Sequence, residues 1–250
     1  MKMNAPLNAP LNAPIYQLKR TAKALARRDS IPLLAALDQV ARAEGFTSWS
    51  LLVSKHAART PAAKLLAKLL PGELVLLGAR PGQGKTLLGL ELIARTIRAG
   101  GEGWFFTLEW SLRDTVEHLH ILGERSIISS SRFVFDDADE ISADYIVGRA
   151  SQVSERSLIL IDYLQLLDQK RDHPPLDEQV RKLKVFARRS GAVVVLLSQI
   201  DRSFDVTSSR LPDLSDVRLP NPLELSLFDA SCFVNRGAIH SYLGDAHGGV

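Results

Sequence analysis

From Ile15 onward, apolar positions recur at helical spacing. Ile15, Leu18, Ala22 and Leu25 line one face, and Lys19, Arg20, Lys23 and Arg27 stand elsewhere. Ser30, with Pro32 just inside, predicts the start of a second helix carrying Leu33, Leu34, Leu37 and Val40 and ending at Gly45. A third helix is expected near Thr47, with Trp49, Leu51 and Leu52. A fourth opens at Thr60-Pro61 and runs from Ala62 to Leu70, where Pro71-Gly72 stops it. Past Pro71 the pattern changes. Apolar, β-branched runs predict strands at 73–78, 103–108, 132–136, 158–162, 192–198 and 231–235, and helical periods fall between them at 85–99, 112–122, 142–153 and 176–189. Strands that are apolar without alternation and are bounded by helices belong to a parallel sheet covered on both faces, so the fold class is α/β.

The pattern also divides the chain. Residues 4–15 read Asn-Ala-Pro-Leu twice and then Asn-Ala-Pro-Ile, and a proline at every fourth position removes backbone donors and forbids a helix. The expected organisation is a flexible leader over 1–14, a small basic all-helical module over 15–56, a linker helix over 57–70 and an α/β domain over 71–250. A module of about 40 residues is marginally stable alone. Trp49 and Phe46 are read as its core, with stacking on exposed nucleic-acid bases as the alternative.

Composition narrows the class. The chain has 250 residues, 46% of them apolar and 24% charged, which excludes a wholly disordered or fibrous protein. Its longest apolar runs are strand-length, against the roughly 20 residues of a membrane helix. The amino terminus has no apolar core flanked by a small-residue cleavage site, so a secretory signal is not expected. The single cysteine, Cys232, has no internal disulfide partner, and no Cys/His set has zinc spacing. The reading is a cytoplasmic protein with no membrane partner and no metal beyond one brought by a ligand. His118 and His120 fall on different faces of their helix and are read as surface. The net charge of +3 hides an asymmetry: residues 1–70 hold 11 Lys/Arg against 3 Asp/Glu, and the remainder hold 20 against 25. This points to nucleic acid or another anionic partner, or else to a solvated helix surface.

The clearest chemical signal is Ala79-Arg80-Pro81-Gly82-Gln83-Gly84-Lys85-Thr86, standing after a strand and opening a helix. It is a phosphate-binding loop with Ala at the usual first Gly, and Gly78 lies one residue earlier. Gly82 and Gly84 let successive backbone N–H groups point at phosphates, and the helix adds its positive end. Arg80, Pro81, Gly82, Gln83, Gly84, Lys85 and Thr86 are therefore candidate nucleotide-binding residues, with Lys85 on the outer phosphates and Thr86 on a magnesium ion. Leu158-Ile159-Leu160-Ile161-Asp162 is an apolar strand ending in a carboxylate at the edge where open parallel sheets bind ligands. Asp162 is accordingly a second magnesium candidate, its alternative being a turn residue. Glu109 and Gln199 also end strands pointing the same way. A carboxylate there can orient and deprotonate attacking water, and an amide can sense the terminal phosphate; either could instead cap a helix.

Taken in order, Gly-Ala-Arg-Pro-Gly-Gln-Gly-Lys-Thr, Phe-Thr-Leu-Glu-Trp, Leu-Ile-Asp-Tyr-Leu-Gln-Leu-Leu and Leu-Ser-Gln-Ile-Asp-Arg-Ser resemble the motor domain of bacterial replicative helicases of the DnaB type. The likeness runs from about Leu70 to Arg236, and Leu214-Ser215-Asp216-Val217-Arg218 with Asp229-Ala230 resembles that family's fourth motif. It implies a RecA-like core, ATP with Mg2+, Glu109 as catalytic base beside Lys85, Asp162 as magnesium partner and Gln199 as sensor. It further implies a hexameric ring acting on single-stranded DNA, with other replication proteins as partners.

Three features depart from that pattern. The larger helical domain of the helicases is replaced by the basic segment 15–56, which resembles a short module fronting other bacterial proteins. The acidic-Ser-Gly stretch after Arg218 reads Leu219-Pro220-Asn221-Pro222. The chain stops soon after Asn235-Arg236-Gly237, before the hairpin that delivers a Lys and an Arg to a neighbour's nucleotide, and Arg236 is the candidate to stand in. DNA contact is expected from the loop 201–221, where Arg202, Arg210 and Arg218 are offset by Asp201, Asp205, Asp213 and Asp216. The leading expectation is a magnesium-dependent ATPase driving movement on single-stranded DNA. The alternatives are a regulatory or adaptor protein that keeps the pocket without the motor, and another RecA-like ATPase.

Overall fold

The computed structural model describes residues 13, 15–57, 60–168, 173–204, 210–219, 221–236 and 238–243. The expected leader, apart from Ala13, lies outside the described residues, as do Asp205, Pro220 and Gly237. The described residues form two compact units divided between Lys64 and Leu65.

In the first unit, α1 (Ile15–Asp29), α2 (Leu33–Ala43) and α3 (Trp49–Ala57) enclose a small core of Leu18, Ala22, Ala36, Val40, Ala41, Phe46 and Leu52. Trp49 packs against that core, so both aromatic residues serve packing. Asp38 Oδ1 accepts the Trp49 N–H at 2.8 Å and fixes where α3 begins. The start of α2 differs from the expectation. Ser30 sits in the left-handed region at φ 50°, and the capping position belongs to Pro32, whose ring presets φ near −56°. A short helix, α4 (Pro61–Leu66), follows, with Thr60 Oγ1 accepting the Ala63 N–H. It ends four residues before the expected Leu70: the Lys68 and Leu69 N–H groups bond to Leu65 O and Leu66 O in i→i−3 turns, and the buried Glu73 carboxylate takes the Leu70 N–H at 2.9 Å.

The second unit contains β1 (Leu74–Ala79), α5 (Lys85–Arg98), β2 (Gly103–Thr107), α6 (Leu112–Ile121), α7 (Arg125–Ile128), β3 (Phe133–Asp136), α8 (Ala143–Arg149), β4 (Leu158–Asp162), α9 (Leu176–Ser190), β5 (Val193–Gln199), β6 (Ala230–Asn235) and β7 (Ala238–Leu243). The sheet order is β3-β2-β4-β5-β1-β6-β7. Every pairing is parallel except the last, where β7 runs antiparallel to β6. The expected parallel central sheet is present, and the edge strand Ala238-Ile-His-Ser-Tyr-Leu, which the sequence reading did not include, adds to it in the antiparallel sense.

Both faces are covered. Leu74, Leu76, Ile159, Ile161, Val194 and Leu196 pack with Leu176, Val180, Leu183 and Ala187 of α9 and with α8. Side chains alternate along a strand, so Leu160 faces the other way and meets α5 at Gly89, where a Cβ would stand 2.6 Å from it. Gly78 serves a similar close approach, since a Cβ there would lie 2.7 Å from the Phe233 ring of β6. The helix expected over 142–153 is shorter, with Ser142 as its cap accepting the Tyr145 N–H. Among the described residues, no helix is long and apolar enough to cross a membrane.

Candidate nucleotide-binding site

Parallel register sets Thr107 beside Asp162 and Ala79 beside Gln199, so the carboxyl ends of β1, β2, β4 and β5 open on one edge. Residues 80–84 turn from β1 into α5. Gly82 and Gly84 have φ of 75° and 87°, and a Cβ at either would meet nothing within 4 Å. Conformation, not crowding, therefore calls for glycine at both. Gly84 caps α5, whose partial positive end faces the loop.

Three charged side chains converge below this loop. Lys85 Nζ lies 3.1 Å from Asp162 Oδ1 and 3.9 Å from Glu109 Oε2, and Thr86 Oγ1 donates to Asp162 Oδ2 at 2.8 Å. Lys85 and Asp162 are buried. The Tyr163 ring lies 5.4 Å from Lys85 Nζ. Thr107 Oγ1 accepts the N–H groups of Glu109 and Trp110, which fixes the turn that carries the carboxylate. Burial raises the Glu109 pKa above the ordinary carboxylate value, Lys85 opposes this, and the nearby Asp162 charge adds to it.

A cleft of about 330 Å3 opens over these groups. Of the sequence-predicted residues, Pro81, Gly82, Gly84, Lys85, Thr86, Glu109 and Gln199 line it, and Asp162 reaches it through Lys85 and Thr86. Arg80 and Gln83 are not among the residues that line it, and Gln83 Oε1 accepts the Arg236 N–H at 2.8 Å. Arg236, at φ 51°, occupies the turn between β6 and β7 and is exposed.

Leu87, Trp110 and His118 also line the cleft. His118 is half-buried at the surface on the rim of this cleft, and His120 is exposed beside Arg125. The cause is a capping box at Ser111 and Asp114 that folds α6 back over the Glu109-Trp110 turn. It brings the Trp110 and His118 rings to a centroid distance of 4.3 Å, and His118 Nδ1 lies 2.8 Å from Asp114 O. The Ser-x-x-Asp spacing marks the start of α6 but not the side on which it packs.

The hydroxyl of Thr86 and the carboxylate of Asp162 are hard oxygen donors, suited to magnesium. Among the described residues, no group of three or more His, Cys, Asp or Glu is arranged to hold a metal, so the ion would need phosphate oxygens and water to complete its shell. Beyond β5, Arg202, Arg210 and Arg218 are all exposed, and Arg210 is in addition bound to Asp216 at 2.6 Å and to Asp213 at 3.2 Å and lies over the Phe204 ring. The three arginines expected at DNA therefore do not share one environment.

Residues 115–241 match the profile of the DnaB-like helicase C terminal domain. The chain belongs to this family. The matched stretch begins inside α6 and takes in Asp162 and Gln199, with the phosphate loop and Glu109 preceding it. Replicative DNA helicase DnaB of Helicobacter pylori strain J99 is 28% identical over 200 residues, covering 68% of this chain and 41% of the relative. The corresponding DnaB of Mycoplasma genitalium is also 28% identical, covering 66% of this chain and 43% of the relative. The chain thus spans about two-fifths of the length of these curated relatives. Among solved structures, a DnaB-like replicative helicase, described with its interactions with primase, superposes with a TM-score of 0.57 at 22% identity, over 87% of this chain and 66% of that one. A solved ATPase domain gives 0.55 at 22% identity, over 74% and 80%. These likenesses establish the fold, an α/β core like that of the solved DnaB-like structures.

Proposed function

We propose that the chain is a DnaB-type ATPase that hydrolyses Mg-ATP and couples hydrolysis to movement on single-stranded DNA as a hexameric ring in the cytoplasm. The observation that carries this reading is the convergence of Lys85, Glu109 and Asp162 beneath the glycine loop, with Gln199 on the same cleft.

In this mechanism the amides of residues 82–86 and the α5 terminus hold the triphosphate, and Lys85 neutralises its outer oxygens. Magnesium, held on Thr86 and Asp162, would shield phosphate charge. Glu109 accepts a proton from water as the water oxygen attacks the terminal phosphorus and the bridging P–O bond breaks, leaving ADP and phosphate. Gln199 reads whether the terminal phosphate is present, and Arg202 and Arg218 meet the DNA backbone. A further grip comes from α1, where exposed Lys19, Lys23 and Arg27 recur every four residues, about 6 Å apart along the axis, with Arg20 beside them.

The test is ATP turnover with and without single-stranded DNA, on samples whose mass is followed by light scattering. Stimulated turnover by a six-fold assembly supports the reading, and slow turnover indifferent to DNA removes it.

A further inference from the structure

Gln165 stands three residues after Asp162, at the start of a 3-10 turn spanning Leu164–Asp168, and is 8% exposed. Its Nε2 donates to Ser198 Oγ at 3.1 Å and to the Arg218 carbonyl at 2.6 Å, and its Oε1 faces the Gln199 N–H at 3.5 Å. One buried amide thus touches the segment after β4, the last residues of β5 and the far end of the 201–218 loop.

That loop end is fastened to β5 by its own backbone. Arg218 N–H donates to Gln199 O at 2.9 Å, Asp201 N–H donates to Asp216 O at 2.7 Å, and Ile200 pairs with Val217 in an antiparallel bridge. Gln199 therefore has its side chain on the phosphate cleft while its backbone is held to Arg218 directly and to Gln165. A displacement of Gln199 that broke the Gln165 bonds would leave buried donors and acceptors unsatisfied. The least disruptive response is for Gln165, Gln199 and Arg218 to shift together.

We infer that Gln165 is a positioning residue that couples the state of the phosphate cleft to the loop bearing Arg202 and Arg218. This rests on the reading that the cleft binds ATP and the loop binds DNA. A glutamine suits the role because it both donates and accepts; glutamate at the same length keeps the acceptor and loses the donors to Ser198 and Arg218.

Coupling between two sites is reciprocal and is read as a ratio of affinities. The experiment compares the full chain with Gln165→Ala and Gln165→Glu. It measures the Kd for a fluorescent oligo(dT) with a non-hydrolysable ATP analogue and with ADP, together with the analogue's own Kd and the melting temperature. Wild-type protein is expected to bind oligo(dT) with affinities differing at least about fivefold between the two nucleotides. Both variants are expected to bring that ratio close to one while retaining analogue affinity within about twofold. A variant ratio equal to wild type overturns the inference, as does a loss of DNA affinity that is the same in both nucleotide states. Failure of both variants to fold would make Gln165 a structural tie and also overturn it. Wild-type protein indifferent to nucleotide, or without DNA binding, would instead remove the functional reading on which the inference stands.

Discussion

Lys85 Nζ lies 3.1 Å from Asp162 Oδ1, and the side chain of that carboxylate has no solvent exposure. The pair joins the first turn of α5 to the end of β4, so the phosphate loop is anchored to the neighbouring strands by an ion pair as well as by the sheet. Removing one partner of a buried pair leaves the other uncompensated, which costs about 3 kcal/mol or more. Asp162→Ala is therefore expected to lower unfolding stability by about that amount in a urea titration. Thr86→Ala, which removes a single hydrogen bond to Asp162, is expected to cost about 1 kcal/mol. Equal stability of Asp162→Ala and wild type would contradict the assignment.

Glu109 is partly exposed on the cleft, and burial raises its pKa. A base must be deprotonated to act, so turnover is expected to decline as pH falls through this pKa, beginning above the ordinary carboxylate range. ATP affinity over the same interval should change less, because Glu109 acts on the attacking water and the loop amides hold the phosphates. Glu109→Gln is expected to bind ATP normally and to lose about 10² to 10⁴ in turnover. Single-turnover hydrolysis across a pH series measures both effects.

Gly78 faces the Phe233 ring, and Cys232 precedes that phenylalanine on β6. Gly78→Ala should overpack this site and destabilise the fold by about 1–3 kcal/mol. Burial pushes the Cys232 thiol up to about 12, so little reactive thiolate forms at neutral pH. Maleimide labelling followed by mass spectrometry is expected to show no reaction in native protein and full reaction in urea; rapid native labelling would contradict the placement of β6.

The exposed cations of α1 give a prediction in salt. Replacing Lys19, Lys23 and Arg27 by alanine should leave nucleotide affinity intact and weaken oligo(dT) binding. The slope of log affinity against log salt should fall by roughly 0.7 for each DNA phosphate that the variant no longer neutralises. Unchanged affinity and slope would assign DNA binding elsewhere.

How much of this was legible in the sequence depended on the range of the interaction. Residues 85–98 announce a helix through a glycine loop followed by periodic apolar positions, and 158–162 announce a buried strand through an unbroken apolar run; both elements are present. Local chemistry also named Lys85, Thr86, Glu109, Asp162 and Gln199, which the fold brings to one edge. Interactions made across the chain were not legible. His118 joins the cleft because α6 folds back, β7 exists by pairing with β6, and Gln165 finds Arg218 across 53 positions. The end of α4 is not legible either, because the turn at Lys68 and Leu69 is followed by a bond from the Leu70 N–H to the side chain of Glu73.

The most direct measurement is the affinity of wild type and Lys85→Ala for Mg-ATP by isothermal calorimetry. One site per chain in wild type is expected, with affinity reduced at least about tenfold in the variant, in keeping with removal of a charge-assisted hydrogen bond. Equal affinity in the two proteins, or no binding by wild type, would contradict a triphosphate site beneath the glycine loop.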